Sequence, residues 1–426
     1  MKLKQQNLKN VIIILMKQNG FNIFYLLLLV TVFFTMSAQD RSANEITIHS
    51  KILKEFRKIK VFDPNKDIKK PIVVVLDAQE DIFYELIKSN LVYGNSFDDE
   101  LPQSLLVGII TENRRKDYTN ESFRRFILEE LIPYLATNYN TAGYKVMVSF
   151  SLSGSFHLQS LRDPAFNFDG NIIFSPAVSD QLINSYTDQD LPSHIINKHI
   201  YISSGTIGQN DTYISKQLLK LKEHLGDLTY FNIDIIKGIN HNKTPNFTIS
   251  NGLYRVFYPW IKSDMLQMQS QQILKTLTYK NKLISEIYGE EKKIQPEEYN
   301  FIAELSLKNN NALEALAIVN KGLLQGEEHK LLFTKTKAHY DLQQIDSAII
   351  SCKEAQDMLP KSDIEFEYLS KIYRSYLYFL ESKKACNNGN IDLFYKKRRQ
   401  AIAKIEELKN QLQSLLDLYH TECQSR

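Results

Sequence analysis

Short apolar runs alternate with helical patterns over the first 260 residues. Five of these runs are mainly apolar: Pro71–Leu76, Leu105–Ile110, Lys145–Phe150, Asn171–Phe174 and His199–Ser203. Runs of this length and composition are typical of strands buried on both faces of a sheet. Helix-like stretches, including Glu121–Tyr139 and Tyr213–Leu225, lie between them. From about Ile46 to Trp260 the alternation therefore predicts an α/β layer fold around a mostly parallel sheet.

The strand pattern stops after Trp260, and the remaining residues are rich in Leu, Lys, Glu, Gln and Ala with few Gly or Pro. This composition predicts an all-helical tail. Inside it the small residues Ala315 and Gly322 recur 33 positions later as Ala348 and Ala355, and Pro360 follows. Small residues seven apart with a closing proline are typical of tetratricopeptide-like hairpins. Because the period is one residue short, a plain helical bundle stays open as the alternative.

The amino terminus has the charge order of an export signal. No acidic residue precedes Asp40, and several lysines come before the apolar run Phe21–Ala38. Ser37 and Ala38 offer a cleavage point, but the run is about as long as the shortest membrane-spanning helices. Cleavage and retention as a membrane anchor both stay open. We expect the rest of the chain to be periplasmic or secreted, and to meet the membrane only if the segment is uncleaved.

Charge and cysteine content exclude several classes of function. The chain has 52 basic and 49 acidic residues, and a net charge of +3 is too small to indicate a nucleic-acid surface. The three cysteines, Cys352, Cys386 and Cys423, are an odd number in the last quarter, so we predict neither a disulfide framework nor a cysteine metal site. No phosphate-binding glycine loop or dinucleotide motif is present, so no cofactor or metal is expected.

These patterns predict five segments along the chain: a signal peptide or anchor at 1–38, an α/β domain at 39–265, a helical linker at 266–295, tetratricopeptide-like repeats at 296–380 and a capping helix at 381–426.

A candidate nucleophile follows the strand Lys145–Phe150. A serine at a sharp strand-to-helix turn is the nucleophile elbow of serine hydrolases, and Ser151 has that position. The residues two before and two after it must be small, and they are Ser149 and Ser153 in place of the usual glycines. Because serine also suits turns and helix caps, the elbow taken alone leaves a structural role open.

The segments around this turn resemble the esterase family of the α/β-hydrolase fold that includes enterochelin esterases, S-formylglutathione hydrolase and feruloyl esterases. The resemblance covers about Ile46 to Trp260 and is carried, in order, by Val74–Asp77, Val107–Ile109, Arg114–Thr119, Glu130–Tyr134, the Ser151 turn and Ser175–Pro176. It implies an α/β-hydrolase fold with a serine nucleophile. By analogy with the family, the backbone amides of Ala78 and Leu152 would form the oxyanion hole.

The family's order places an acid and then a histidine after the serine. His241 precedes an aromatic helical stretch, as the family's histidine does, and His157, His194, His199 and His224 fit that place less well. The family's usual acid position holds Gly208, and the nearest carboxylate is Asp211, three residues later. Asp211 is therefore the candidate acid, with capping of the helix before Thr212 as the alternative.

Two functions follow from these residues. The first is an exported serine esterase that hydrolyses a small-molecule carboxylic ester through an acyl-enzyme, with Ser151, His241 and Asp211 as the catalytic triad. The second is a catalytically weak or inactive hydrolase-like domain that acts with its helical tail as a protein-binding module. We expect an ester substrate, a possible protein partner on the tail, and no nucleic acid.

Overall fold

The computed structural model describes residues 44–96, 100–187, 191–225, 230–265, 267–326, 328–361 and 366–406. The predictions made for residues 1–38 and for Cys423 lie outside these ranges. The chain divides into two compact units, with the boundary between Tyr258 and Pro259. Within the described ranges, no helix has both the length and the apolar character needed to cross a membrane.

The first unit is built on an eight-stranded sheet with the strand order β1-β2-β4-β3-β5-β6-β7-β8. Its strands are β1 Asn44–Ser50, β2 Glu55–Phe62, β3 Lys70–Val75, β4 Leu105–Ile109, β5 Thr141–Phe150, β6 Gly170–Phe174, β7 His199–Ser204 and β8 Phe231–Ile235. β2 runs antiparallel to both of its neighbours, and the other neighbouring pairs are parallel. This mostly parallel sheet confirms the predicted fold class.

The predicted apolar runs correspond to β3 through β7, whereas β1, β2 and β8 were not predicted. These three strands lie towards the two edges of the sheet. In β2, Arg57, Ile59 and Val61 are buried while Phe56 and Lys58 are exposed. The strand therefore alternates in polarity, as a strand with one solvated face does, and a search for continuous apolar runs misses it.

Helices cover the sheet, and most of them follow directly after a strand. They are α1 Asp81–Ser96, α2 Arg114–Tyr118, α3 (Glu121–Arg125, a π-helical Phe126–Leu131 and Ile132–Asn138), α4 Leu152–Leu161, α5 Asp180–Thr187, α6 Ser193–Ile196, α7 Gln209–Leu225 and α8 Thr244–Val256. The strands β3, β4 and β6 are buried throughout. Side chains from helices and strands together form one large apolar core, which fixes the carboxyl ends of the parallel strands.

The π-helical part of α3 joins this helix to the β1–β2 edge. The Glu130 carboxylate accepts hydrogen bonds from the backbone amides of Lys51 (2.9 Å) and Ile52 (3.2 Å) in the turn between the two strands. The Ser50 hydroxyl donates to the same carboxylate. Glu130 therefore supplies acceptors for turn amides that a hairpin leaves without strand partners. The segment Glu130–Tyr134 of the family resemblance has a structural role here.

The second unit is helical throughout its described residues. Its helices are α9 Ser270–Tyr288, α10 Pro296–Lys308, α11 Ala312–Leu323, α12 His329–Asp341, α13 Ile345–Asp357, α14 Phe366–Asn387 and α15 Ile391–Glu406. The pairs α10/α11, α12/α13 and α14/α15 pack as hairpins. Each hairpin has a three-residue connection whose middle residue has a positive φ: Asn310 at 56°, Gln343 at 61° and Gly389 at 73°. One connection geometry therefore recurs in three helical hairpins of the described chain.

Two predicted boundaries differ from the structure. The segment 266–295 contains α9, whose Ile273 and Leu277 are buried in the same cluster as Ile302 and Ile318 of the following hairpin. It is therefore a packed part of the second unit rather than a linker. The predicted boundary between 380 and 381 falls inside α14. Composition alone showed neither feature, because a packed amphipathic helix and a solvated helical linker share the same residue types.

The two described cysteines are in different states. Among the described residues Cys352 is a buried free thiol, whereas Cys386 is disulfide-bonded. A disulfide framework is predicted from the number and spacing of several cysteines, so the sequence contains no signal for a single bonded residue.

Candidate active site

The strand-to-helix turn at Ser151 has the backbone conformation of a nucleophile elbow. Ser151 lies between β5 and α4 with φ 61° and ψ −113°, a region that residues with a side chain seldom adopt. Its amide donates to the Phe174 carbonyl (3.0 Å), and its carbonyl accepts from the Ala177 amide (2.9 Å). The end of β6 therefore holds the strained turn in place. Such strain persists only where the surrounding structure fixes it, and it concentrates at active sites.

Two serines replace the usual elbow glycines, and the hydroxyls of both are hydrogen-bonded within the protein. The Ser153 Oγ accepts from the Phe150 amide and donates to the Phe150 carbonyl, both at 2.9 Å. The Ser149 Oγ lies 2.8 Å from Nδ1 of His157, whose Nε2 lies 3.0 Å from Oδ1 of Asn171. All three members of this second group are fully buried. Serine is therefore accommodated at both positions without an unpaired hydroxyl.

His157 is neutral in this network. Burial lowers its pKa to about 4, so at neutral pH the ring has one N–H group. The Asn171 oxygen accepts that proton from Nε2, and Nδ1 accepts from the Ser149 hydroxyl. His157 thus supports the elbow through its hydrogen bond with Ser149, two residues before the nucleophile. Its place on α4 fits the catalytic base less well than that of His241, and its ring contacts Ser149 rather than Ser151.

The structure brings together Ser151, His241 and Asp211. The Nε2 atom of His241 lies 2.9 Å from the Ser151 Oγ, and its Nδ1 atom lies 2.8 Å from the Asp211 Oδ1. Because a carboxylate only accepts, Nδ1 must have the proton and donate it to Asp211. In the neutral ring Nε2 is then an acceptor that faces the serine hydroxyl. This tautomer is the one that can remove a proton from Ser151.

Asp211 reaches the histidine because the loop after β7 turns sharply. Asp211 is the third residue of α7 and is fully buried. Its Oδ2 accepts from the Gly205 amide (3.2 Å), while Gly208 takes a φ of 92° just before the helix. The carboxylate thus faces the histidine and the loop. Among its described hydrogen bonds, the carboxylate accepts from no amide of α7, so the alternative role as a helix cap finds no support.

The His241 ring is fixed on its other sides by the loop and by an aromatic neighbour. The amides of Thr206 and Ile207 donate to the Ile239 carbonyl at 2.9 and 3.0 Å, which ties the acid loop to the histidine loop. The Phe150 ring lies 4.9 Å from the His241 ring, centroid to centroid. The histidine side chain is 21% exposed, whereas Asp211 is completely buried. The acid is therefore shielded from water while the base faces the mouth of the site.

The structure corrects one predicted oxyanion donor. The Ala78 amide donates to the Ile109 carbonyl at 3.0 Å, so it has no proton to offer a substrate. Among the described hydrogen bonds, neither the Gln79 amide nor the Leu152 amide donates to a protein acceptor. Leu152 is the first residue of α4, where helix amides lack intrahelical partners. The candidate pair becomes Gln79 and Leu152, a choice that sequence could not make because it does not give the direction of an N–H bond.

Two other histidines, His194 and His199, have partners other than the Ser151 hydroxyl. His194 bonds to the Leu161 carbonyl (3.0 Å). His199 packs against Tyr230 and Tyr258, and burial lowers its pKa to about 4. Neither contacts the carboxylate of Asp211 in the described structure.

Comparison with known proteins finds a family model that matches part of the first unit. Residues 50–220 match the family model described as "Putative esterase". This match supports the resemblance to the esterase family. The matched segment contains Ser151 and Asp211, and the α/β unit continues beyond it to the histidine.

Solved structures resemble this chain at low sequence identity, and the first of them, with a TM-score above 0.5, shares its fold. An uncharacterised protein from Capnocytophaga ochracea is 15% identical with a TM-score of 0.59, over 80% of this chain and 99% of that chain. An IroE-like serine hydrolase from Shewanella oneidensis is 17% identical with a TM-score of 0.47, over 71% and 99%. A ferric enterobactin esterase from Salmonella typhimurium is 15% identical with a TM-score of 0.44, over 52% and 60%. No curated protein matches the chain.

Proposed function

We propose that this protein is an exported serine esterase that hydrolyses a carboxylic ester through an acyl-enzyme. The chain of two hydrogen bonds from Ser151 through His241 to Asp211 is the observation that supports it best. The match of residues 50–220 to an esterase family model supports the reaction class. The elbow conformation of Ser151 adds to this, because it holds the hydroxyl at the carboxyl edge of the sheet.

In the first half of the reaction Ser151 attacks the ester carbonyl. His241 takes the hydroxyl proton on Nε2 as the Oγ–carbon bond forms, and Asp211 stabilises the resulting imidazolium through Nδ1. The carbonyl oxygen becomes negatively charged and accepts hydrogen bonds from the Gln79 and Leu152 amides. When the intermediate collapses, the bond to the alcohol breaks and His241 returns its proton to the leaving oxygen. An acyl ester of Ser151 is left.

In the second half a water molecule replaces the alcohol. His241 removes a proton from the water as it attacks the acyl carbon, and the same two amides stabilise the second tetrahedral intermediate. Collapse breaks the bond to the Ser151 Oγ, which recovers its proton from His241. The carboxylic acid leaves, and the enzyme returns to its starting state. The balance requires only ester and water.

Export is supported by the charge order of the first 38 residues. If the amino-terminal segment is retained instead of cleaved, it anchors the enzyme to a membrane. The helical hairpins are proposed as a surface for a protein partner.

The non-catalytic alternative was motivated by the missing elbow glycines and the displaced acid. The hydrogen bonds of the site account for both features, so neither of them argues against catalysis. The hydroxyls of Ser149 and Ser153 are hydrogen-bonded, and Asp211 lies within hydrogen-bond distance of His241. A scaffold that had lost turnover has no need to keep this charged group buried and aligned.

Hydrolysis of a short nitrophenyl ester tests the proposal. Ser151→Ala and His241→Ala should each lower kcat/KM by about a thousandfold or more, as expected for residues of one triad. Ser155→Ala is the matched control, because Ser155 lies in the same elbow helix and its hydroxyl takes no part in the two hydrogen bonds of the triad. Activity that survives Ser151→Ala at the wild-type level would remove this mechanism.

A further inference from the structure

The turn that follows β3 is centred on one buried carboxylate. Asp77 has a φ of 60°, and its side chain is 3% exposed. Its two oxygens accept from Nε and Nη2 of Arg114, each at 2.8 Å. The Tyr118 hydroxyl donates at 2.7 Å, and the Gln79 side-chain amide donates at 3.2 Å. These hydrogen bonds hold Asp77 in its strained backbone conformation.

Arg114 also reaches the nucleophile elbow. Its Nη2 donates to the carbonyl of Phe150 at 3.3 Å, and Phe150 directly precedes Ser151. One planar guanidinium therefore bonds both to the turn at 77–80 and to the strand end that presents the nucleophile. These two segments hold the Gln79 and Leu152 amides, one on each. Because a guanidinium has its donors in a rigid fork, it fixes the spacing of what it binds better than a flexible ammonium does.

The rest of the turn is tied down on the side away from the elbow. The Thr111 amide donates to the Gln79 Oε1 at 3.0 Å, and the Ala78 amide donates to Ile109 at 3.0 Å. A Cβ atom added at Gly108 would lie 2.5 Å from the Ala78 Cβ, so β4 passes close beneath the turn. These contacts anchor the turn to β4. Arg114 joins the turn to the elbow by hydrogen bonds to Asp77 and to the Phe150 carbonyl. Tyr118 adds a second link, because its hydroxyl donates to Asp77 and its ring contacts Phe156 of α4.

We propose that Arg114 is a positioning residue that holds the two oxyanion donors at a fixed distance from each other and from Ser151. The proposal rests on the proposed function. Such donors stabilise a transition state because they are in place before the charge develops. A misplacement of about 1 Å can lower a rate about a hundredfold. Loss of Arg114 should therefore lower turnover without a matching loss of substrate binding.

The competing explanation is that Arg114 only stabilises the fold. A second arginine–aspartate pair in the same unit provides the comparison. Arg57 of β2 donates to both oxygens of Asp117, at 2.7 and 2.5 Å, and both side chains are buried. This pair secures α2, the same short helix that begins with Arg114. The described contacts of Arg57 are with Asp117, Glu55 and Phe123, and none of these residues lies in the turn at 77–80 or in the elbow. A general loosening of α2 would follow from either substitution.

The test compares Arg114→Ala and Arg114→Lys with Arg57→Ala and Arg57→Lys in the full-length protein. For each variant kcat, KM and the inhibition constant of a trifluoromethyl ketone are measured, because the ketone binds as a charged tetrahedral adduct. Arg114→Ala should lower kcat about 10- to 100-fold and weaken the ketone by the same factor, with KM within about threefold. Arg114→Lys should have a lower kcat than the wild-type protein. Added guanidinium should restore part of the activity of Arg114→Ala. Arg57 variants should lose stability while the folded fraction keeps its kcat.

Three results would overturn the proposal: an Arg114→Ala kcat within threefold of wild type, a loss of kcat with unchanged ketone affinity, or an equal loss of kcat in the Arg57 variants. Failure of the proposed esterase function would be seen separately. The wild-type protein would then hydrolyse the ester no faster than Ser151→Ala, before any arginine is changed. Fluorophosphonate titration of each variant counts the folded sites, so kcat can be calculated per folded site even for a variant that folds poorly.

Discussion

At the scale of single residues, the candidate triad could be taken from the sequence because its members follow a fixed chain order. Ser151 was marked by its strand-to-helix turn and His241 by the helix behind it. Asp211 was harder, since it stands three residues past the family position, and only the bend at Gly208 shows how it reaches the histidine. The oxyanion amides and Arg114 could not be found in this way. Their roles depend on where an N–H bond points and on contacts across 36 positions of chain.

Asp211→Asn tests the role of the buried acid. Asparagine can keep a contact with the Gly205 amide but has no charge with which to stabilise the imidazolium, so turnover should fall by about three to four powers of ten. The free energy of unfolding should change by about 1 kcal/mol or less, as for a substitution that preserves shape. Asp180→Asn on α5 is the control, because that carboxylate bonds to Gln217 rather than to the histidine. Full turnover in Asp211→Asn would contradict the triad.

His157 should make the fold sensitive to acid. Its pKa is about 4 in the folded protein against an ordinary 6.5, so the unfolded chain binds the proton first. Its contribution to stability is complete above about pH 6.5 and is lost as the pH falls towards 4, with a slope that approaches about 1.4 kcal/mol per pH unit. Urea unfolding between pH 7 and 4.5 should show a shallower loss in His157→Gln, where His199 still titrates. An identical slope in the variant would contradict this account.

At the scale of elements, buried parallel strands were predictable and edge strands were not. The runs that became β3 through β7 are apolar because helices cover both of their faces. β2 alternates because only one of its faces is buried. The elbow shows the reverse case. Its sequence departed from the glycine pattern, yet the hydroxyls of Ser149 and Ser153 find partners within the turn and in the helix after it.

The loop between β7 and α7 contains a glycine that the acid requires. A Cβ atom at Gly205 would collide with the Ile239 carbonyl and lie 2.7 Å from the Asp211 Oδ2. Gly205→Ala should therefore displace the carboxylate or the histidine loop and lower turnover about a hundredfold or more. Gly238→Ala is the matched control, because its Cβ meets nothing within 4 Å although its φ is 83°.

The control should lose about 1–2 kcal/mol of stability from its left-handed backbone and keep its kcat. Turnover numbers and urea unfolding of both variants check the pair. Equal turnover in the two alanine variants would contradict the role given to the space around Gly205.

At the scale of the whole molecule, the sequence predicted an α/β part followed by a helical part, and the structure has two compact units divided after Tyr258. The helical part was harder to subdivide. A segment expected to be a linker supplies Ile273 and Leu277 to a core, and the recurrence at 33 positions is now visible as a repeated helical connection. Sequence periodicity shows that helices repeat, but it does not show which of them pack.

A fragment that ends at Tyr258 should fold by itself. Its core is formed by residues of the sheet and the helices that flank it, all from the first unit. The fragment, expressed from about residue 39, should unfold cooperatively by circular dichroism and react with a fluorophosphonate at a rate close to that of the full chain. An insoluble fragment beside a soluble full-length protein would show that the two units form one cooperative structure.

The central claim is that Ser151 is a nucleophile activated by His241. The most direct measurement is the mass spectrum of the full-length protein after reaction with a fluorophosphonate, followed by peptide mapping. We expect a single adduct on the peptide that contains Ser151, a much slower reaction in His241→Ala and no adduct in Ser151→Ala. An unmodified wild-type protein, or an adduct on another serine, would contradict the account.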